Sequence, residues 1–270
     1  MNPVSAPPFT LDAADGWQVS GVPAFQDNYL WVVHDASCAV VIDPGDAAPL
    51  IAFLRQRGLA LTAIVCTHHH ADHVGGVAGL LQAFGACPVY GPADEPIPGR
   101  TLAAYDGEVL MLAPGRFEVV AVPGHTAGHL AYLWQDRIFC GDTLFALGCG
   151  RLFEGTPQQM LHSLQRLAGL PGERWVHCAH EYTLSNLAFA LHVDSANPAL
   201  QARGARERAR RAEGLATVPA LLSEERATNP FLRADASALH ASAEQWAGSS
   251  LPDELAVFTA LRRWKNEFRA

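Results

Sequence analysis

Thr67-His68-His69-His70-Ala71-Asp72-His73 follows directly on the apolar run Ala63-Ile64-Val65-Cys66. The run reads as the end of a buried strand, Leu61–Cys66, so the polar cluster sits where a strand meets a loop. Imidazole and carboxylate are good ligands for a borderline metal such as zinc. In an extended segment, residues two apart point the same way. His68 and His70 can therefore share one ion, while His69 points elsewhere. Asp72 and His73 lie where the chain turns into the next helix, and their divergent direction makes room for a second ion.

Three further candidates repeat this placement. His125 lies in Pro123-Gly124-His125-Thr126-Ala127-Gly128-His129, after the strand reading of Phe117–Val122. Asp142 lies in Cys140-Gly141-Asp142-Thr143, after Ile138–Cys140, and His180 lies in Cys178-Ala179-His180-Glu181, after Arg174–Cys178. A lone histidine after a strand is ordinarily capped or solvent-facing. Seven such ligands at four strand ends are what a site assembled at one sheet edge requires. His69 and His129 are read as supporting rather than ligating, and Cys66 as core.

The chain around these motifs alternates strands and helices. Tyr29–Val33, Ala39–Ile42, Glu108–Leu112 and Leu130–Trp134 read as further strands. Ala47–Gly58, Val74–Phe84 and Gln158–Leu167 read as helices, and Asp43-Pro44-Gly45 as turn punctuation. The pattern predicts layered α/β packing. After His180 the texture becomes Ala-, Leu- and Arg-rich. Thr183–Val193, Leu200–Ala212, Leu222–Ala227 and Glu254–Phe268 read as helices, with no strand among them. The expected division is 1–180 as a catalytic domain and 181–270 as a helical one.

Composition narrows the function. With 270 residues and 49% hydrophobic content, the chain can bury a core. No stretch of eighteen apolar residues is present, so no membrane partner is expected. A net charge of −8 argues against a nucleic-acid partner. The cluster of arginines at Arg203, Arg206, Arg208, Arg210 and Arg211 is expected to be a salt-bridged, solvated helix face. Six cysteines without a CxxC pair, and an N-terminal stretch lacking the features of a leader, lead to the expectation of a reducing, cytoplasmic location.

Taken together, THHHADH, PGHTAGH, CGDTLF and AHEYT resemble the metallo-β-lactamase superfamily of binuclear metallohydrolases. Gly148–Thr156 (GCGRLFEGT), Thr228–Arg233 (TNPFLR) and Leu261–Phe268 (LRRWKNEF) are similar to the glyoxalase II family, the hydroxyacylglutathione hydrolases, in its bacterial form. The resemblance covers about Phe25 to Phe268. It implies a four-layered αββα sandwich followed by a smaller all-helical domain. It implies two divalent ions, zinc first, with iron and manganese also suited to the ligands. By resemblance, His68, His70 and His125 hold the first ion, and Asp72, His73 and His180 the second. Asp142 bridges both, and Asp72 also helps to hold the bridging hydroxide in place.

The implied reaction is hydrolysis of S-D-lactoylglutathione to glutathione and D-lactate, the second step of methylglyoxal detoxification, with a small-molecule thioester as partner and a monomeric enzyme. The family's substrate contacts fall on Arg151, Phe153, Tyr182, Arg262 and Lys265. Arg151 and Phe153 stand where some members carry Lys and Tyr. Lys265 is the single lysine among 19 basic residues, and it falls on the family's lysine position. An iron-dependent persulfide dioxygenase, another hydrolase of the superfamily and a non-catalytic metal-binding module are the competing readings.

Overall fold

The computed structural model describes residues 7–269. The first six residues of the N-terminal stretch lie outside the described residues. By compactness the chain forms two units: residues up to Ala121 with Gly128–Gly141, and Val122–Ala127 with Asp142 onward.

The first unit opens with four antiparallel strands, β1 (Phe9–Asp12), β2 (Gln18–Ala24), β3 (Asn28–His34) and β4 (Cys38–Ile42). Helix α1 (Ala47–Arg57) then carries the chain over to β5 (Ala60–Val65), parallel to β4. Parallel neighbours need such a crossover. Asp46 caps α1 by accepting from the Ala48 N–H, and Gly58 closes it in the left-handed region. Two short helices, α2 (Ala71–Val74) and α3 (Val77–Phe84), lead to the parallel strands β6 (Val89–Pro92) and β7 (Leu102–Ala104), β7 lying at the sheet edge.

All seven residues of β3 are buried, so both faces of this sheet are covered. On one face Leu30, Val32, Val41 and Ile64 pack with Leu50, Phe53 and Leu54 of α1 and Val77 and Leu80 of α3. Trp31, Val33, Val40 and Ile42 alternate onto the other face and are equally buried. An antiparallel meander completes the unit: β8 (Val109–Leu112), β9 (Gly115–Ala121), β10 (Leu130–Trp134) and β11 (Arg137–Gly141). Its central strand β10 is fully buried. The Tyr132 hydroxyl donates to the Cys66 carbonyl at 2.9 Å and the Leu130 N–H to the Thr67 carbonyl at 2.9 Å. These bonds fix the meander against the loop that carries the histidine cluster.

The second unit starts with a small hairpin, β12 (Leu144–Phe145) and β13 (Gly148–Cys149), followed by α4 (Pro157–Ala168). Thr156 and Gln159 form a capping box on α4, with Pro157 at its first position. Strand β14 (Trp175–Cys178) leads to α5 (Thr183–Val193) and α6 (Pro198–Ala212). Then come β15 (Ala220–Leu221), α7 (Leu222–Thr228), α8 (Ser237–Ala247) and α9 (Glu254–Glu267). Leu147, Leu187, Ala190 and Leu200 form one apolar cluster here. Phe189 stacks with Phe231 and Trp246 with Trp264.

The expected α/β class and helical C-terminal region are observed. Several details differ. Strands β1, β2, β6 and β7 were not expected; β2 contains Gly21 and Pro23, which read as turn residues, and the others are only three or four residues long. The helix expected at Val74–Phe84 is broken at Gly75-Gly76. A Cβ at Gly76 would lie 2.6 Å from the Pro44 carbonyl oxygen, so the backbone passes too close to the β4 turn for any side chain. β15 is a strand where none was expected, pairing antiparallel with β14. Two residues are too few for a period-2 pattern. Helix α8 was not expected either, because Leu239 and Ala243 are its only buried residues.

Arg206, Arg208 and Arg210 lie on the expected solvated face, and Arg206 is salt-bridged to Glu224 at 2.7 Å and to Glu207, but Arg203 departs from it. Arg203 is 1% exposed and pairs with Glu225, with Glu224 at 3.4 Å and Glu207 at 3.7 Å. Burial pulls its pKa down, but these carboxylates outweigh burial and leave it raised. Arg211 reaches Glu181 at 3.8 Å.

Candidate metal centre

In the first unit the strand β5 stops at Val65 and the histidine loop begins. Asp43, just past the end of β4, organises it. Its carboxylate accepts from the Thr67 N–H and the Thr67 hydroxyl, both at 2.7 Å, and from His73 Nδ1 at 3.1 Å. This network sets two tautomers. The Thr67 hydroxyl spends its one O–H on Asp43, so its oxygen accepts from His68 Nδ1 at 3.0 Å. In neutral His68 and His73 this places the proton on Nδ1 and the lone pair on Nε2, the ligating tautomer.

The spacings fit metal ligands. Two nitrogens bound tetrahedrally at 2.0–2.1 Å stand about 3.4 Å apart. His68 Nε2 and His70 Nδ1 lie 3.1 Å apart, and His73 Nε2 and Asp72 Oδ2 lie 3.6 Å apart. Asn28 Nδ2 donates to Asp72 Oδ2 at 3.1 Å and fixes the carboxylate's direction. His69 turns away to Glu95 at 2.9 Å, and His129 stacks on His68 with ring centroids 4.5 Å apart.

The second unit carries a further set of donors. His125 Nδ1 donates to the Arg151 carbonyl at 2.8 Å, which directs Nε2 toward Asp142 Oδ2 at 3.4 Å. His180 Nε2 lies 3.3 Å from Asp142 Oδ1. One carboxylate thus offers each oxygen to a different imidazole. An imidazole nitrogen and a carboxylate oxygen at this distance need a proton or a metal cation between them, because their lone pairs otherwise repel. The donor set fits two divalent ions. The site is tight: a Cβ at Gly150 would lie 2.0 Å from the Asp142 carbonyl oxygen.

The residues expected to contact substrate all lie in this second unit. Tyr182 stacks on His180, with centroids 4.6 Å apart and planes at 3°. Phe153 is 63% exposed and meets the His125 ring edge-on at 5.2 Å. Arg151 is exposed. Arg262 is buried, donating to the Cys149 carbonyl at 2.8 Å and to Asn266 at 3.0 Å, with its guanidinium over Phe231. Lys265 donates to the Ser185 carbonyl at 3.0 Å. Burial, then the nearby charges of Arg262 and Arg151, lower its pKa to about 8. Asp43 and Asn28 were missed by sequence reasoning. Asp43 stood in Asp43-Pro44-Gly45, and that motif was read only as a turn.

The fold and site define a class. Residues 22–180 match the family model for the metallo-beta-lactamase superfamily. Two solved structures share the fold: a B3 metallo-beta-lactamase, BLEG-1, at 23% identity and TM-score 0.60, covering 80% of this chain and 99% of that one, and ETHE1 from Myxococcus xanthus at 24% and 0.58, covering 83% and 84%. Residues 181–268 match the model for the hydroxyacylglutathione hydrolase C-terminus. The hydroxyacylglutathione hydrolase of Cupriavidus taiwanensis is 54% identical over 265 residues, covering 93% of this chain and 99% of that protein. That of Nitrosomonas europaea is 51% identical over 250 residues, covering 92% and 95%. The chain belongs to the hydroxyacylglutathione hydrolase family.

Proposed function

We propose that this chain hydrolyses S-(2-hydroxyacyl)glutathione, S-D-lactoylglutathione in particular, to glutathione and a 2-hydroxy acid, D-lactate. This is the second step of methylglyoxal detoxification. The carboxylate of Asp142, with each oxygen facing one imidazole, carries the reading, because it is the arrangement a two-ion hydrolytic centre needs. In this reading His68, His70 and His125 hold one ion and Asp72, His73 and His180 the other, with Asp142 on both. When bound, such ions lower the pKa of water from 15.7 to about 7 and polarise a carbonyl. Zinc is our first choice; iron and manganese suit the same ligands. TTHA1623, solved in a di-iron-bound form, is 32% identical with TM-score 0.50, covering 64% of this chain and 91% of that one.

The chain's own residues do the rest. Asp43 and Thr67 keep His68 and His73 in the ligating tautomer. Asn28 orients Asp72. Arg151, Tyr182, Lys265 and Arg262, with Phe153 beside His125, form the glutathione site on the helical substrate domain and the loops before it. Glutathione is an anion, and the cations supply a local positive field on a chain of net charge −8. The thiolate leaves without a strong acid, because thiol pKa values lie near 8.5. We propose a reducing, cytoplasmic location, in keeping with six free cysteines. Separately, no described helix is long and apolar enough to cross a membrane.

The purified chain is expected to cleave S-D-lactoylglutathione, to lose that activity on dialysis against a strong chelator, and to regain it when zinc is returned. A full rate in the stripped protein would refute the reading.

Lys265 gives a pH signature. Its amine is charged below about 8 and neutral above. KM for the thioester should therefore rise as pH climbs through that value, while kcat holds. Lys265→Ala should raise KM about tenfold at neutral pH, the scale of one charge-assisted hydrogen bond, and flatten the profile. A wild-type KM in Lys265→Ala would remove this residue from the site.

A further inference from the structure

Glu95 lies in the loop that follows β6, outside every motif singled out in the sequence. It is 4% exposed. One carboxylate oxygen accepts from the His69 N–H at 2.7 Å and from His69 Nδ1 at 2.9 Å. The other accepts from the Gly128 N–H at 3.0 Å. The carboxylate thus ties the histidine loop to the start of β10, within one unit. His69 lies between two of the assigned ligands, and Gly128 precedes His129, the ring that stacks on His68.

The loop bearing Glu95 is itself held. Arg100 Nη1 donates to the carbonyls of Pro92, of Ala93 at 3.0 Å and of Glu95 at 2.9 Å. The fit at the far end is close: a Cβ on Gly128 would lie 2.8 Å from Glu95 Cγ. A carboxylate is the only common side chain that offers acceptors alone on two oxygens. An amide would turn its NH₂ toward either His69 or Gly128, donor against donor.

We propose that Glu95 is a positioning residue for the metal centre, setting the His68–His70 spacing by fixing the backbone of His69 and the ring stacked on His68. This rests on the two-ion reading above. Groups that orient metal ligands from behind are worth about 10–100-fold in metal affinity or activity.

The test measures metal affinity by chelator competition with zinc, together with kcat and KM, in the intact chain. Glu95→Gln is expected to weaken binding about 10–100-fold and to lower kcat at limiting zinc, with KM for the thioester unchanged. Gly128→Ala keeps the carboxylate but crowds it, so it should shift affinity the same way by a smaller factor, and it serves as the probe if Glu95→Gln fails to fold. Wild-type zinc affinity in the variant that folds would overturn the proposal, even with a lowered melting temperature of the metal-free protein, because that pattern marks a purely structural clamp. The unsubstituted chain is run beside them. If it binds no zinc, the two-ion reading itself falls, and the positioning role with it.

Discussion

Asp142→Ala is expected to lose both ions and the hydrolytic activity in a single step. The residue stands between two imidazoles, one on each carboxylate oxygen, at 3.4 Å from His125 and 3.3 Å from His180. On the proposed assignment, its removal takes one ligand from each ion and one of the two carboxylates of the set, the other being Asp72. Without bound metal, water at neutral pH returns to a pKa near 15.7, and the supply of nucleophile falls by about eight orders of magnitude. A fall in kcat/KM of about 10⁴-fold or more is therefore expected. Elemental analysis should show less than one ion per chain. Circular dichroism should stay unchanged, because Asp142 belongs to a loop and not to a helix or strand. Two retained ions with near-full activity would refute the bridging role.

The second large effect falls on stability. Glu225→Ala removes the buried partner of Arg203. Glu225 Oε1 accepts from the Arg203 guanidinium, and Oε2 accepts from the Leu147 N–H at 2.9 Å and from Asn229 Nδ2 at 3.0 Å. Asn229 in turn donates to the carbonyls of Phe145 at 3.1 Å and Gly148 at 3.0 Å. The carboxylate thus secures the hairpin of β12 and β13, where Leu147 holds a φ of 58° that non-glycine residues seldom adopt. Breaking a buried pair costs about 3–5 kcal/mol where the remaining charge is left alone. Glu224 at 3.4 Å and Glu207 at 3.7 Å still face Arg203, so the lower end, about 3 kcal/mol, is expected. At about 2–4 °C per kcal/mol for a chain of this size, the melting temperature should drop by about 10 °C. The double variant Arg203→Met/Glu225→Leu removes both charges and should recover part of that loss. A drop of under about 2 °C in Glu225→Ala would mean that the network contributes little.

The proposed metal ligands stand out in the sequence because their chemistry is local. Each sits one or two residues beyond an apolar run, and imidazoles grouped at strand ends carry the lone pairs of a metal site whatever the rest of the chain does. The buried supports were not legible. Asp43 looks like a turn residue, and Glu95 and Asn28 look like ordinary polar side chains. Their roles arise from acceptors and donors contributed by residues far away in the chain. Arg203 shows the same limit: helical spacing puts it among solvated arginines, and only α7 packing beside α6 makes it a core charge.

Sequence alone determined the alternation of strand and helix, the change of texture after His180 and the residue types able to hold metal. Those follow from periodicity and side-chain chemistry, which act within a few residues. Tertiary structure decided which nitrogen each histidine presents, why Gly76 and Gly150 have no side chain, and how the Lys265 amine is depressed. These depend on distances of about 2–4 Å between groups distant in sequence, and hydrogen bonding, steric exclusion and desolvation act only at that range.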